Sequence, residues 1–121
     1  DPYENVTYSL YTSGGTQHLG IQVTATATVQ PVIENVAALN FVYLDQSGTV
    51  LDDGGGNVTT NISNIRAVEV TIVVRASRED TDYTDSNAYE NRQGDVVLAA
   101  QNDHFRRGML SMRIACRNLG L

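Results

Sequence analysis

Apolar and polar residues alternate with a period of two along most of this chain. Val6, Tyr8 and Leu10 oppose Thr7, Ser9 and Tyr11, and Ile21, Val23, Ala25, Ala27 and Val29 oppose Gln22, Thr24, Thr26, Thr28 and Gln30. A strand sends successive side chains to opposite faces, so both runs predict strands. Between them, TSGGTQ carries the paired glycines that reach positive φ without steric cost, and an antiparallel hairpin is expected. The stretch PVIENVAALNFVYLDQSGTVL is mixed. Pro31 suits a first helical turn or a tight turn, Val32, Val36 and Leu39 recur at near-helical spacing, and Leu39, Phe41 and Tyr43 alternate. One turn of helix leading into a strand is expected. DQSG then turns the chain into a short strand around Val50, and DDGGGN reads as an exposed loop.

The strongest strand pattern is IRAVEVTIVVRAS. Val68, Val70, Ile72, Val74 and Ala76 share one face, and Glu69, Thr71, Val73 and Arg75 share the other, which predicts a central, half-buried strand. Residues 78–95 hold almost no aliphatic side chain and are expected to form a long surface loop. VVLAAQ adds a short strand. In the last segment, Leu110, Met112, Ile114 and Cys116 are expected to face the core. Met109, Ser111, Arg113, Ala115 and Arg117 take the opposite face. Arg113 and Arg117 are then available to carboxylates, and Glu69 has the parity to be one if the two strands are neighbours. Arg106 and Arg107 precede this strand and are expected at an assembly surface, so that Arg106, Arg107, Arg113 and Arg117 together form the candidate interface set.

Length and composition narrow the picture. A chain of 121 residues with 41% hydrophobic content fits a single domain, taken as residues 1–121. The net charge of −6 argues against a nucleic-acid surface, which needs a clustered positive field. All 8 basic residues are arginine, a composition that favours planar, bidentate pairing. Cys116 is the only cysteine, so no internal disulfide forms, and with His18 and His104 alone a four-ligand zinc cluster has too few ligands. No apolar stretch approaches the roughly 20 residues of a membrane-spanning helix, and no basic-then-apolar signal opens the sequence. A soluble domain is expected.

Catalytic motifs are missing: there is no G-x-S-x-G, no Walker loop and no G-x-G-x-x-G, and no enzyme activity is expected. Asp103 and His104 are adjacent, but neighbours in an extended segment point to opposite faces, which favours a polar loop over a hydrolase pair. Cys116 beside Arg117 has the makings of an activated thiol, yet its parity places it inward as a small hydrophobe. Asp80, Asp82 and Asp85, flanked by Glu79 and Glu90, are the candidate metal ligands, with calcium as the cofactor their oxygens suggest. The EF-hand template is not met: counting Asp80 as its first position, Asp85 stands where glycine is required and Asn91 closes the loop. Sequons at Asn5, Asn57 and Asn61 are short enough to arise by chance and carry no weight.

VTYSLY, IENVAALNFVYLDQSG, ISNIRAVEVTIVVRASRED and HFRRGMLSMRIACRNLGL, in that order, resemble the globular domain of minor pilins of the PilW type, which are related to J-type pseudopilins of type II secretion. These pieces span nearly the whole chain and none is a catalytic signature. The resemblance implies an α+β, mostly β, pilin-like head of antiparallel sheet with one short helix and long polar loops. It implies no catalysis, and assembly with other minor pilins and the major pilin into a complex that initiates or caps a type IV pilus or a type II secretion pseudopilus. The implied location is the inner membrane and periplasm before assembly and the filament at the cell envelope or surface afterwards. Such proteins begin with a basic leader, a prepilin peptidase site and a long apolar helix. The present sequence holds none of these, so membrane contact is expected only through a helix removed from it or carried on a separate chain. The alternative is a stand-alone β-sandwich module that binds calcium or a glycan.

Overall fold

The structure, a computed structural model, describes residues 7–22, 28–51 and 62–116. The first hairpin forms as its glycines dictate. β1 (Thr7–Ser13) and β2 (Thr16–Gln22) pair antiparallel with Leu10 opposite Leu19. Gly14 and Gly15 take φ of 61° and 77°, the two successive positive values a two-residue hairpin loop requires. β3 (Gln30–Ile33) joins the other side of β2 in a three-stranded sheet. Of the alternation expected over residues 21–30, Ile21 and Gln22 end β2 and Gln30 opens β3; residues 23–27 lie outside the described residues, as does the DDGGGN loop.

The helical turn expected after Pro31 does not form. Pro31 lies in β3, at the edge of its sheet, where a missing N–H costs no ladder bond. Asn35 turns the chain at φ 56°, and β4 (Val36–Leu44) follows. The near-helical spacing has a different origin. The register of β4 against its neighbour shifts between Val36 and Ala38, so one extra residue is accommodated there and Val36 and Leu39, three apart, come to share a face. Among the described residues the helical content is a single 3-10 turn, Ile62–Asn64. The mostly β expectation stands, and the α component is not seen. No helix among the described residues is long and apolar enough to cross a membrane.

β4 pairs on one side with β5 (Val50–Leu51) and on the other with β6 (Ala67–Arg75), and β6 pairs with β9 (Arg107–Ala115), all antiparallel. β7 (Tyr89–Glu90) and β8 (Val96–Leu98) form a small ribbon within the excursion between β6 and β9. β6 is central, as its pattern predicts. Its Val70 and Ile72 join Val36 and Leu19 in the core, with Leu10, Ile33, Leu39 and Val68 packed around them, so the three-stranded sheet covers part of one face of the four-stranded sheet.

Two burial expectations are overturned. The row on β9 assigned to the core is open: Leu110, Met112 and Ile114 are 57%, 38% and 48% exposed, and Cys116 is only partly buried. Alternation identifies the shared face, but β9 sits at the sheet edge, past the residues of the small sheet that form the core cluster. Conversely, the polar excursion expected on the surface contributes Asp85 and Asn91 to the buried set, while Glu69, Thr71 and Val73 on the second face of β6 are buried as well. Hydrogen bonds offset the cost of burying a polar side chain, and Glu69, Thr71, Asp85 and Asn91 each make at least one.

Candidate functional site

The second face of the sheet carries the only dense set of ionic contacts among the described residues. Arg107 opens β9 directly opposite Arg75 of β6, and its guanidinium is turned inward, 5% exposed. Nη1 donates to Asp85 Oδ2 at 3.0 Å and to Asp103 Oδ1 at 2.7 Å, and Nη2 donates to Asp103 Oδ2 at 2.7 Å. The Asp103 pairing is the bidentate fork that arginine geometry permits and lysine geometry does not.

Asp85 is fully buried and saturated. Beyond Arg107 it accepts from the Tyr89 hydroxyl at 2.9 Å and from the backbone and side-chain amides of Asn87, each at 3.1 Å. Its own backbone is pinned to the segment before β9, with its N–H on the Asp103 carbonyl and its carbonyl receiving the Asn102 N–H. Burial alone pushes the Asp85 carboxyl up, but the donors of Arg107, Tyr89 and Asn87 outweigh it and hold the group below its ordinary value. The Asp103 carboxyl falls to about 2 through its hydrogen bonds from Arg107. Burial and the Asp85 carboxylate push the Tyr89 phenol up to about 12.

A second cluster lies farther along the same face. Arg113 donates to Glu69 Oε1 through Nε at 3.1 Å and Nη2 at 2.6 Å, and Gln93 donates to Glu69 Oε2 at 2.8 Å. Glu69 and Arg113 are direct cross-strand partners, as parity predicts. The Arg113 and Gln93 donors lower the Glu69 carboxyl below its ordinary value despite its burial. Asn91 anchors the excursion from the other side: its Nδ2 donates to Asn40 Oδ1 at 3.1 Å, and its Oδ1 accepts from the backbone of Gln93 and Asp95. These bonds fasten residues 76–106 to the sheet, and every carboxylate in them is held ionised. A carboxylate so held has no proton to give at neutral pH and is a weaker base than an ordinary one, so the arrangement suits rigidity rather than proton transfer.

The candidate residues are therefore distributed over different tasks. Asp80, Asp82 and Asp85 do not gather into a metal cage: Asp80 accepts from Arg106, Asp82 offers its backbone N–H to Asp80, and Asp85 is closed over by Arg107, with no metal-holding group of His, Cys, Asp and Glu among the described residues. Arg106 is 62% exposed, paired with Asp80 at 3.0 Å and stacked 4.3 Å from the Tyr83 ring centre. The Arg106 donors hold the Asp80 carboxyl below its ordinary value. Arg107 corrects the expectation that both arginines of this pair face a partner, because its donors serve the interior. Arg117 lies outside the described residues. Asp103 and His104 do not form a dyad; His104 donates from Nδ1 to the Tyr83 carbonyl at 2.7 Å.

Sequence reasoning missed the anchoring roles of Asp85, Tyr89 and Asn91, whose partners are distant in the chain, and that of His18. His18 donates from Nε2 to the Ser13 carbonyl at 3.1 Å and accepts the Asn35 N–H on Nδ1 at 3.2 Å, linking the hairpin to the β3–β4 turn.

No curated protein and no solved structure matches this chain. A family model described as Type IV Pilus-assembly protein W does match, over residues 4–118. That span takes in both sheets and the whole polar excursion, and the chain belongs to the type IV pilus-assembly protein W family.

Proposed function

We infer that this chain is a structural minor pilin subunit, which joins other minor pilins and the major pilin to initiate or cap a type IV pilus. Family membership supports a part in pilus assembly. The observation that carries the finer reading is the open apolar row of β9. An edge strand with three large apolar side chains in solvent is a liability in a monomer and an asset in a subunit that meets another apolar surface. Leu110, Met112 and Ile114 stand two residues apart on one such strand. The occupant we assign is the long apolar helix of a filament subunit, the element that the resemblance to minor pilins implies. Arg106, exposed just before β9, supplies a charge at the rim.

The test is complementation of a strain lacking the gene, with pili counted by electron microscopy. Met112→Glu is expected to leave folding stability within about 0.5 kcal/mol of wild type, as exposed substitutions do, and to fail to restore piliation. Arg106→Glu is expected to fold normally and lower the pilus count. A folded Met112→Glu protein that restores wild-type piliation would falsify this assignment.

A further inference from the structure

A second surface feature is independent of the apolar row. A cleft of about 340 Å³ opens where the β1–β2 hairpin, the start of β4 and the excursion meet, lined by Arg75 and Arg107 together with Gln17, Asn35, Gln101 and Thr16. No carboxylate of the described residues lines it, in a chain whose net charge is −6. Arg75 and Arg107 stand directly opposite one another on adjacent strands, an arrangement of like charges that is unfavourable without compensation.

Direct ion pairs reach only one of them, and Arg75 senses the Asp103 carboxylate through charge alone. Asp85 and Asp103 take the terminal nitrogens of Arg107, but its Nε is buried with no hydrogen-bond partner. An unmet donor in a side chain this deeply buried is costly, and such groups call for an explanation. The Arg75 guanidinium donates no hydrogen bond and forms no ion pair among the described residues, while the Arg75 backbone N–H donates to the Asn35 carbonyl at 2.8 Å. The Arg75 guanidinium carbon stands over the Phe105 ring, 4.0 Å from the ring centre. Stacking uses the face of a guanidinium and leaves the N–H groups at its rim pointing outward in a fixed fork.

We propose that this cleft binds a carboxylate, held by the fork of Arg75 and supported by the amide and hydroxyl groups of Gln17, Gln101 and Thr16. The stacked fork matches the two oxygens of a carboxylate, and charge-assisted bonds of this kind are stronger than neutral ones. The carboxylate comes either from an acidic side chain of another protein subunit or from a free organic acid. The chemistry of capture is the same for both.

The experiment is a titration of the 121-residue chain, followed by the amide resonances of the cleft-lining Gln17 and Gln101 in NMR, with sodium acetate, free glutamate and a blocked glutamyl residue at matched ionic strength. Saturable shifts of these amides, which every Arg75 variant keeps, are expected, with a dissociation constant on the order of 1 mM. They should vanish in Arg75→Gln and weaken about tenfold in Arg75→Lys, which keeps the charge but not the fork. Tighter binding of the blocked residue than of free glutamate assigns the cleft to a protein side chain, and the reverse assigns it to a small acid. Shifts no larger than those produced by chloride, or shifts unchanged in a folded Arg75→Lys protein, overturn the proposal. The readout needs no pilus, so its failure leaves the minor pilin reading untouched.

Discussion

The two faces of the four-stranded sheet carry different chemistry and are covered by different means. One face is apolar on β4, β6 and β9, yet the small sheet covers only its middle and leaves Leu110, Met112 and Ile114 in solvent. The other presents Glu69, Thr71, Arg107 and Arg113, and there Glu69 and Thr71 of β6 are buried beneath a segment with almost no aliphatic residue. Position in the sheet decides coverage on both faces: β6 is buried on each, and edge strand β9 is open on each, with Met109 and Arg113 as exposed as Ile114. What differs is how the cover is held, and on the polar face ions and amides fasten it around Val73, Leu44 and Ala38. Such a layer has a specific weakness: it depends on a few groups whose partners cannot be replaced by water.

Asp85 is the first of these groups, and its loss is expected to have the largest effect. Asp85→Ala strips one carboxylate from buried Arg107 and leaves the Tyr89 hydroxyl and the Asn87 amide without their acceptor. Arg107 keeps its fork on Asp103, but buried donors left without an acceptor cost about 1–3 kcal/mol each, and a loss of about 3 kcal/mol is expected in chemical denaturation. The exposed apolar face provides the control, since Leu110→Ala removes a side chain already 57% in solvent. An Asp85→Ala protein no less stable than Leu110→Ala would break the comparison between the faces.

That weakness is also where sequence reasoning stops. The strand pattern of β6, the glycine hairpin and the Glu69–Arg113 pairing are legible because each depends on parity or on a local turn. Burial of the β9 row is misjudged because alternation names a face without saying what lies over it. Val36 and Leu39 mislead for a local reason, the bulge that imitates a helical spacing. The Asp85–Arg107 contact spans 22 positions and follows no period, so nothing near either residue announces it. The composition of residues 78–95 excludes an apolar core but says nothing of a satisfied polar one.

pH sharpens the same contrast. Glu69, Asp80, Asp85 and Asp103 all have carboxyls lowered in the fold, Asp103 to about 2. The unfolded chain therefore binds more protons as the pH falls, and stability present above the ordinary carboxyl value of about 4 drains away towards pH 2. Tyr89 acts at the other end. Its phenol is raised to about 12, so its contribution is complete below the ordinary value of 10.0 and is lost as the pH rises towards 12. Denaturation midpoints measured from pH 2 to 12 should show both losses. The gap between wild type and Tyr89→Phe should hold steady up to about pH 10 and shrink above it. A gap that closes between pH 6 and 8 would show that the Tyr89–Asp85 bond does not set this dependence.

The smallest expected effect separates a half-buried pair from a surface one. Glu69 is 5% exposed in its side chain and Arg113 is 53% exposed, so the pair is asymmetric: water reaches the cation and not the anion. Arg113→Ala leaves Glu69 with Gln93 as its remaining donor, and a cost of about 1 kcal/mol is expected, at the upper end for a pair with an exposed member. Arg113→Glu sets a second carboxylate against a buried one and should cost about 2 kcal/mol, more than a fully exposed pair could lose. Repeating that substitution in a Glu69→Gln background isolates the charge. There the new glutamate meets a neutral amide, and the penalty should fall by about 1 kcal/mol, a coupling typical of residues in direct contact. Equal penalties in both backgrounds would mean that the two side chains do not sense one another, and that the polar face is held by Arg107 and Asn91 alone.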